Sequence, residues 1–300
     1  MSIVYRRFTE LPALIWAFTE SNFSTFVLPN TVFGLLAVLA APLLTDCLET
    51  PSTMSLALHG IPRILVANWA NVFIFDLANQ RSPESVREDS LNKPWRLLPQ
   101  GRITSAQTGR LMLAAIPAVV GVSACLGVGI ESLLALALTW IYCDLKRGDK
   151  LTRDPLIGCG YSLAFVGSLR IGIMDPDVGL SATGYRWLGM MFGVIVTTMQ
   201  VQDLKDQAGD QTRGRKTWPL VVGDRVSRWW IAGCLLFWSV ACSLFWRLPA
   251  WMAAGPVTMG LWVGGCVLAK KGDAHAWRLW CVWQVTLYTL PLAAQNLNAR

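Results

Sequence analysis

Charge is scarce in this 300-residue sequence: Asp, Glu, Lys and Arg make up 15% of it, where soluble domains carry roughly a quarter. That shortage excludes an ordinary soluble pair of domains and any charge-solvated, disordered chain. Histidine is nearly missing. His59 and His275 form no pair, so zinc ligation and a His-based triad have no support. The eight cysteines fall mostly inside apolar runs, Cys143, Cys242 and Cys281 among them, and none stands in a C-x-x-C pattern. They read as small core hydrophobes in a reducing or lipid setting, not as a disulfide scaffold. No Walker or Rossmann glycine motif stands out. The N-terminal stretch lacks the small-residue cleavage pattern of a signal peptide.

Apolar material is abundant. Hydrophobic types make up 53% of the chain, with fifteen Trp, and the mean hydropathy is +0.42. A bilayer crossing needs about 20 predominantly apolar residues. That ruler finds nine stretches, near 24–45, 54–78, 106–125, 127–143, 155–174, 184–203, 229–246, 249–269 and 277–297. The expectation is therefore an all-α polytopic membrane bundle of nine transmembrane helices, one domain over residues 1–300. Residues 1–23, with Arg6, Arg7 and Glu10 among aromatics, read as an interfacial amphipathic lead-in.

The loops orient the bundle. With the N-terminus in the cytosol, segments 1–23, 79–105, 144–154, 204–228 and 270–276 face inward and hold 19 of the 26 Lys and Arg. The opposite loops carry Asp46, Glu49, Glu131, Asp175 and Asp177. Such an asymmetry sets orientation by the positive-inside rule. The net charge of +7 is then a matter of topology and anionic lipid, and nucleic acid is a poor candidate partner. The 144–154 loop (Lys146, Arg147, Lys150, Arg153) reads the same way, although one or two of these could reach a substrate phosphate.

Two acidic constellations lie at inner span ends. The second span runs out through Asn68, Asn71, Asp76, Asn79 and Gln80 to Ser82-Pro83-Glu84, followed by Glu88-Asp89 and Asn92-Lys93-Pro94-Trp95-Arg96. Asp76 and Gln80, four apart, project from one helix face, while Pro83 opens a new short helix. The sixth span runs out through Asp203, Asp206 and Asp210 to Arg213, Arg215, Lys216 and Thr217. At 100° per residue the three aspartates fall within about 60° of one another. Three carboxylates on one stripe repel unless a cation neutralises them, and hard oxygen donors suit Mg²⁺. Acid beside base at a membrane edge is what a lipid diphosphate needs: cations take its charge while its tail enters the bundle. An ionisable residue within a span, such as Asp76, is expensive and usually functional. Asn68 and Asn71 read as interhelical hydrogen-bond formers or as substrate contacts.

These residues carry a family likeness over nearly the whole chain. It resembles the UbiA superfamily of intramembrane prenyltransferases, whose members have nine helices and two Asp-rich motifs. Asp203-x-x-Asp206-x-x-x-Asp210, with Arg215-Lys216-Thr217 and Pro219, looks close to the second motif. The first motif, counted back from Lys93-Pro94, falls on Asp76, Gln80 and Glu84, so Asp replaces its leading Asn and Gln its central Asp. That departure, with Asn92-Lys93-Pro94-Trp95-Arg96 and the Leu28-Pro29 of the first span, is similar to the fungal UbiA-type terpene cyclases.

The resemblance implies Mg²⁺-dependent ionisation and cyclisation of farnesyl or geranylgeranyl diphosphate in the endoplasmic reticulum membrane, with the motif loops cytosolic. It implies Asp76, Asp203, Asp206 and Asp210 as catalytic metal ligands, with Gln80 and Glu84 as further ligands. Lys93, Arg96, Arg215 and Lys216 would bind the diphosphate. Asn68, Asn71 and Asn79 would contact substrate, and Trp69, Phe73 and Phe75 would stabilise the allylic cation. The alternative within the family is a prenyltransferase that moves the prenyl group onto an aromatic acceptor; outside it, a transporter or membrane scaffold.

Overall fold

The computed structural model describes residues 11–47, 49–270 and 272–298. Among these the chain is helical, and its one β-type contact is the antiparallel bridge between Thr45 and Leu180. We number the principal helices α1 Leu11–Leu39, α2 Thr53–Gln80, α3 Pro83–Asn92, α4 Ser105–Cys125, α5 Gly129–Cys143 and α6 Arg153–Ile173. They continue as α7 Ala182–Thr198, α8 Asp203–Arg213, α9 Asp224–Phe245, α10 Ala250–Leu268, α11 Asp273–Tyr288 and α12 Leu290–Asn298.

Each of the nine apolar stretches is helical. Six helices (α1, α2, α4, α6, α9 and α10) are long and apolar enough to cross a membrane, while α5 is a shorter apolar helix. At 17 and 16 residues, α7 and α11 fall short of the roughly 20 that a full crossing takes. The crossings established by length and composition therefore number six among the described residues, not nine.

The first helix also begins earlier than expected. Residues 11–23, read as a lead-in, continue without a break into the first span as α1, while Arg6, Arg7 and Glu10 lie outside the described residues. Pro29 does not stop the helix because a π-turn over Phe23–Val27 absorbs it. Proline has no N–H to return to the carbonyl four residues back, and the Thr25 carbonyl is taken instead by the Tyr161 hydroxyl at 3.4 Å and the Cys281 thiol at 3.8 Å. A breaker thus becomes a tie between α1, α6 and α11. The seventh helix stops at Thr198, short of the expected 203, where the backbone tightens into a 3₁₀ turn over Met199–Val201.

The main core is built from Phe33, Tyr161, Phe165, Trp187, Trp280, Trp283 and their neighbours, joining α1, α6, α7 and α11 with α9 and α10. The charged helices α3 and α8 pack against each other at the C-terminal ends of α2 and α7. Ser82 starts α3 by accepting the Ser85 N–H at 3.1 Å, with Pro83 in the first turn. Gly214 ends α8 with φ +75, a conformation that glycine adopts freely.

Candidate active site

A cavity of about 190 Å³ runs between α2, α5 and α6 and opens onto α3 and α8. A single water needs roughly 10–15 Å³ on the same scale, so this space fits an extended ligand better than a trapped solvent molecule. Its mouth is charged: Glu88, Asp89, Lys93 and Arg96 come from α3 and the turn after it, Asp203, Asp206 and Asp210 from α8, with Arg153 and Arg215 beside them. Its interior is largely apolar, with Val72 and Phe75 of α2, Ala135 and Leu138 of α5, and Leu163 and Ala164 of α6 on the walls.

The acids and bases of the mouth neutralise one another. Arg96 holds Asp89 through both carboxylate oxygens at 3.0 and 2.8 Å. Arg153, at the start of α6, lies 2.9 Å from the Oδ1 of Asp203 and donates to its Oδ2 at 3.0 Å. Arg215 reaches Glu88 at 3.0 Å, Asp149 at 3.2 Å and Asp210 at 3.3 Å, and Arg213 joins the same Glu88 at 3.0 Å. Asn92 ties the two charged helices together: its Nδ2 donates to the Asp206 carbonyl at 3.1 Å, and its Oδ1 accepts the Gly209 N–H at 3.2 Å.

The aspartate stripe is not electrostatically at rest. Burial pushes the Asp203 carboxyl up, with the nearby Asp154 and Asp210 adding to the shift and Arg153 only partly opposing it. Asp210 is raised by burial too. Asp206 goes the other way, because Lys93 and Lys205 outweigh its burial. Desolvation at the cavity wall, together with the neighbouring Arg96 charge, lowers Lys93 to about 8.

The residues present fit a magnesium ion. The Oδ2 of Asp210 is buried with no hydrogen-bond partner, and burial with mutual repulsion favours any added cation beside Asp203 and Asp210. No three His, Cys, Asp or Glu side chains among the described residues converge as a cage for a metal. This suits an ion that is held by one or two carboxylates and completed by substrate phosphates.

Of the residues expected from the sequence, the cavity gathers Asp203, Asp206, Asp210, Lys93, Arg96 and Arg215 at its mouth. Asn68, Asn71, Asn79 and Phe75 lie along its α2 wall. The first motif falls elsewhere. Asp76 is fully buried, and its Oδ1 accepts from Asn22 at 2.7 Å and Gln80 at 3.4 Å. Gln80 donates in turn to the Phe18 carbonyl at 2.9 Å. Both pin α2 to α1 and neither lines the cavity. Glu84 pairs with Lys146 at 3.1 Å, and Lys216 is exposed, its backbone N–H donating to Asp149. Trp69 hydrogen-bonds Thr19 at 2.8 Å and Phe73 packs on Phe18; both sit outside the cavity walls.

Sequence reasoning misses Glu88 and Asp89 as site residues and reads Arg153 only as one of four loop cations of which one or two could reach a substrate phosphate, although all three line the mouth. One signal was present: Ser85, Glu88 and Asn92 recur at spacings of three and four, a single face of the helix that Ser82-Pro83 begins. Nothing in the sequence pairs Arg153 with an aspartate fifty positions away.

The profile described as the UbiA prenyltransferase family matches residues 27–289. A somaliensene A/B synthase of Streptomyces somaliensis is 30% identical over 95% of this chain and 92% of its own length. A diterpene cyclase of Hericium erinaceus is 26% identical, over 82% of this chain and 75% of its own. Among solved structures, a UbiA homolog from Archaeoglobus fulgidus bound to GPP and Mg²⁺ superposes with a TM-score of 0.63 at 11% identity, covering 94% of this chain and 99% of that one.

Proposed function

The chain belongs to the UbiA prenyltransferase family, and we propose that it is a terpene cyclase that ionises a linear prenyl diphosphate, farnesyl or geranylgeranyl, and closes its chain into a cyclic hydrocarbon. It is an integral membrane protein of all-α fold. The observation that carries the proposal is the cavity itself, a mouth of interleaved carboxylates and cationic side chains leading into an apolar interior between helices. The names of the Streptomyces and Hericium relatives support cyclisation. In this reading the whole chain acts as one unit, with the mouth on the cytosolic side where Lys and Arg concentrate.

Magnesium, held by Asp203, Asp206 and Asp210 with Glu88 and Asp89 opposite, would supply the positive charge that draws electrons toward the leaving diphosphate. Lys93, Arg96, Arg153 and Arg215 bind the same group and stabilise its charge as the allylic C–O bond breaks, an electrostatic effect that is strong in a water-poor site. The guanidiniums are already positioned by Asp89, Asp203 and Glu88, so little reorganisation is needed. Phe75 presents an aromatic ring to the cavity, and such a face stabilises a cation by about 0.5–2 kcal/mol depending on desolvation. The apolar walls exclude the water that would convert the cation to an alcohol. Asp76 and Gln80 serve by fixing α2 against α1, so that Asn68, Asn71 and Asn79 face the substrate.

The family's description favours a second reading, transfer of the prenyl group to an acceptor. Membranes containing the chain, given farnesyl or geranylgeranyl diphosphate with Mg²⁺ and no acceptor, separate the two. A cyclic hydrocarbon supports cyclisation, whereas turnover that begins only when a phenol is added supports transfer.

A further inference from the structure

Beyond the charged mouth, the cavity wall carries one more acid. Glu131 stands in the first turn of α5 and lines the same cavity as Tyr142 of that helix. Eleven residues at about 1.5 Å each set it about 16 Å from Tyr142 along the helix axis. It is 8% exposed. Its Oε1 is 2.5 Å from Arg170 Nη1, while Oε2 makes no hydrogen bond with any described residue. The polar groups around it are already engaged with one another: Ser132 donates to Asn71 at 2.8 Å, and Asn68 donates to Ser168 at 3.0 Å. Arg170 pairs with Glu131, which stands at the positive N-terminal end of α5.

We propose that Glu131 is the proton acceptor that ends the cyclisation. The inference rests on the cyclase reading. Ionisation breaks the C–O bond, and pyrophosphate leaves with the electron pair; each ring closure then uses an alkene π pair and moves the positive charge along the chain. To give a hydrocarbon, a C–H bond next to the last cationic carbon must break. Its electron pair becomes the new double bond, and the proton passes to Glu131 Oε2. Such a C–H is acidic enough that a weak base suffices, so position and charge decide which proton is lost. An anion at the inner end of the cavity also draws the cation away from the pyrophosphate, opposing recapture.

The test uses the purified full-length chain with farnesyl and geranylgeranyl diphosphates and Mg²⁺, reading inorganic pyrophosphate and the product spectrum separately. Glu131→Gln is expected to release pyrophosphate within about threefold of the unmodified chain. The share of the principal olefin should fall by about tenfold or more in favour of alcohols or isomeric olefins, since a positioned proton acceptor is worth about 10²–10⁴ in its step. An unchanged product spectrum overturns the assignment. If Glu131→Gln releases no pyrophosphate, Glu131→Asp decides, because it keeps the ion pair and moves the carboxylate: altered olefin ratios support the assignment and unaltered ratios overturn it. An unmodified chain that releases no pyrophosphate without an acceptor overturns the cyclase reading and this assignment with it. An active chain indifferent to both substitutions overturns the assignment alone.

Discussion

The Oδ1 of Asn92 accepts the backbone N–H of Gly209 at 3.2 Å, joining the turn that carries Lys93 and Arg96 to the helix that carries Asp203, Asp206 and Asp210. A Cβ at Gly209 would overlap the Asn92 amide. Gly209→Ala therefore turns the Asn92 amide aside, loses both of its hydrogen bonds to α8 and crowds the α3–α8 contact, and it is expected to lower kcat/KM for the prenyl diphosphate by up to about a hundredfold, as small misplacements of positioning groups can. Asn92→Ala loses two hydrogen bonds of about 0.5–1.5 kcal/mol each and should cost less. Steady-state kinetics with circular dichroism check the pair: helix content is retained in both, and equal activity of Gly209→Ala and the unmodified chain contradicts the prediction.

In the proposed reading Lys93 sets an alkaline limit on turnover. It is lowered to about 8 by desolvation and by Arg96, so it loses its proton, and with it its attraction for diphosphate, as pH rises through that value. The pH profile of kcat/KM reports groups of the free enzyme and should fall above about pH 8. Lys93→Arg, always protonated, should flatten that limb. A profile level to pH 9.5 in the unmodified chain contradicts the assignment.

The Arg153–Asp203 pair should be costly to halve. Both side chains are buried, and removing one partner of such a pair costs about 3–5 kcal/mol by leaving a buried charge unpaired. Arg153→Met is expected to lower the denaturation midpoint in detergent sharply. Arg153→Met with Asp203→Leu should recover most of the stability while pyrophosphate release stays lost. Recovery of turnover by the double variant would rule out Asp203 as a metal ligand.

Much of this was readable in the amino-acid order. Long apolar runs announce helices, and the 3-and-4 spacing of Asp203, Asp206 and Asp210 places them on one stripe of a short helix, wherever that helix packs. Counting back from Lys93-Pro94 points to a different face of α2. That count lands on Asp76, Gln80 and Glu84, yet the cavity meets α2 along Asn68, Asn71, Phe75 and Asn79, a face rotated by about 100° from Asp76. Which stripe faces inward depends on how α1 packs on α2 through Asn22 and Phe18, a long-range contact that no local spacing encodes. Glu88 and Asp89 take the acidic position opposite α8 because the chain turns at Ser82-Pro83. Arg153 is one of four loop cations of which the sequence allows one or two to reach a substrate phosphate, and its burial against Asp203 makes it part of the mouth. Six helices rather than nine meet the length and hydropathy of a crossing, because α5, α7 and α11 are cut short by turns whose positions apolar runs do not mark.

Phe75 should influence rate more than binding. Its ring lines the cavity below the charged mouth, and removing an aromatic face from a developing cation costs about 0.5–2 kcal/mol, roughly 2- to 30-fold in kcat. Phe75→Leu is expected to lower kcat within that range with KM little changed. Phe73→Leu, which alters packing on Phe18 outside the cavity, should leave kcat unaffected. The reverse ranking would show that the cavity face of α2 is misassigned.

The central claim is that one cavity both holds a metal-bound diphosphate and encloses the chain that it leaves. The most direct measurement is the stoichiometry of products from purified protein supplied with a single prenyl diphosphate, with and without Mg²⁺ and in the absence of any acceptor. The account predicts inorganic pyrophosphate and cyclic hydrocarbon in equal amounts, both abolished by chelation and by Asp210→Asn. Pyrophosphate without cyclic product, or no pyrophosphate from either farnesyl or geranylgeranyl diphosphate, would contradict it.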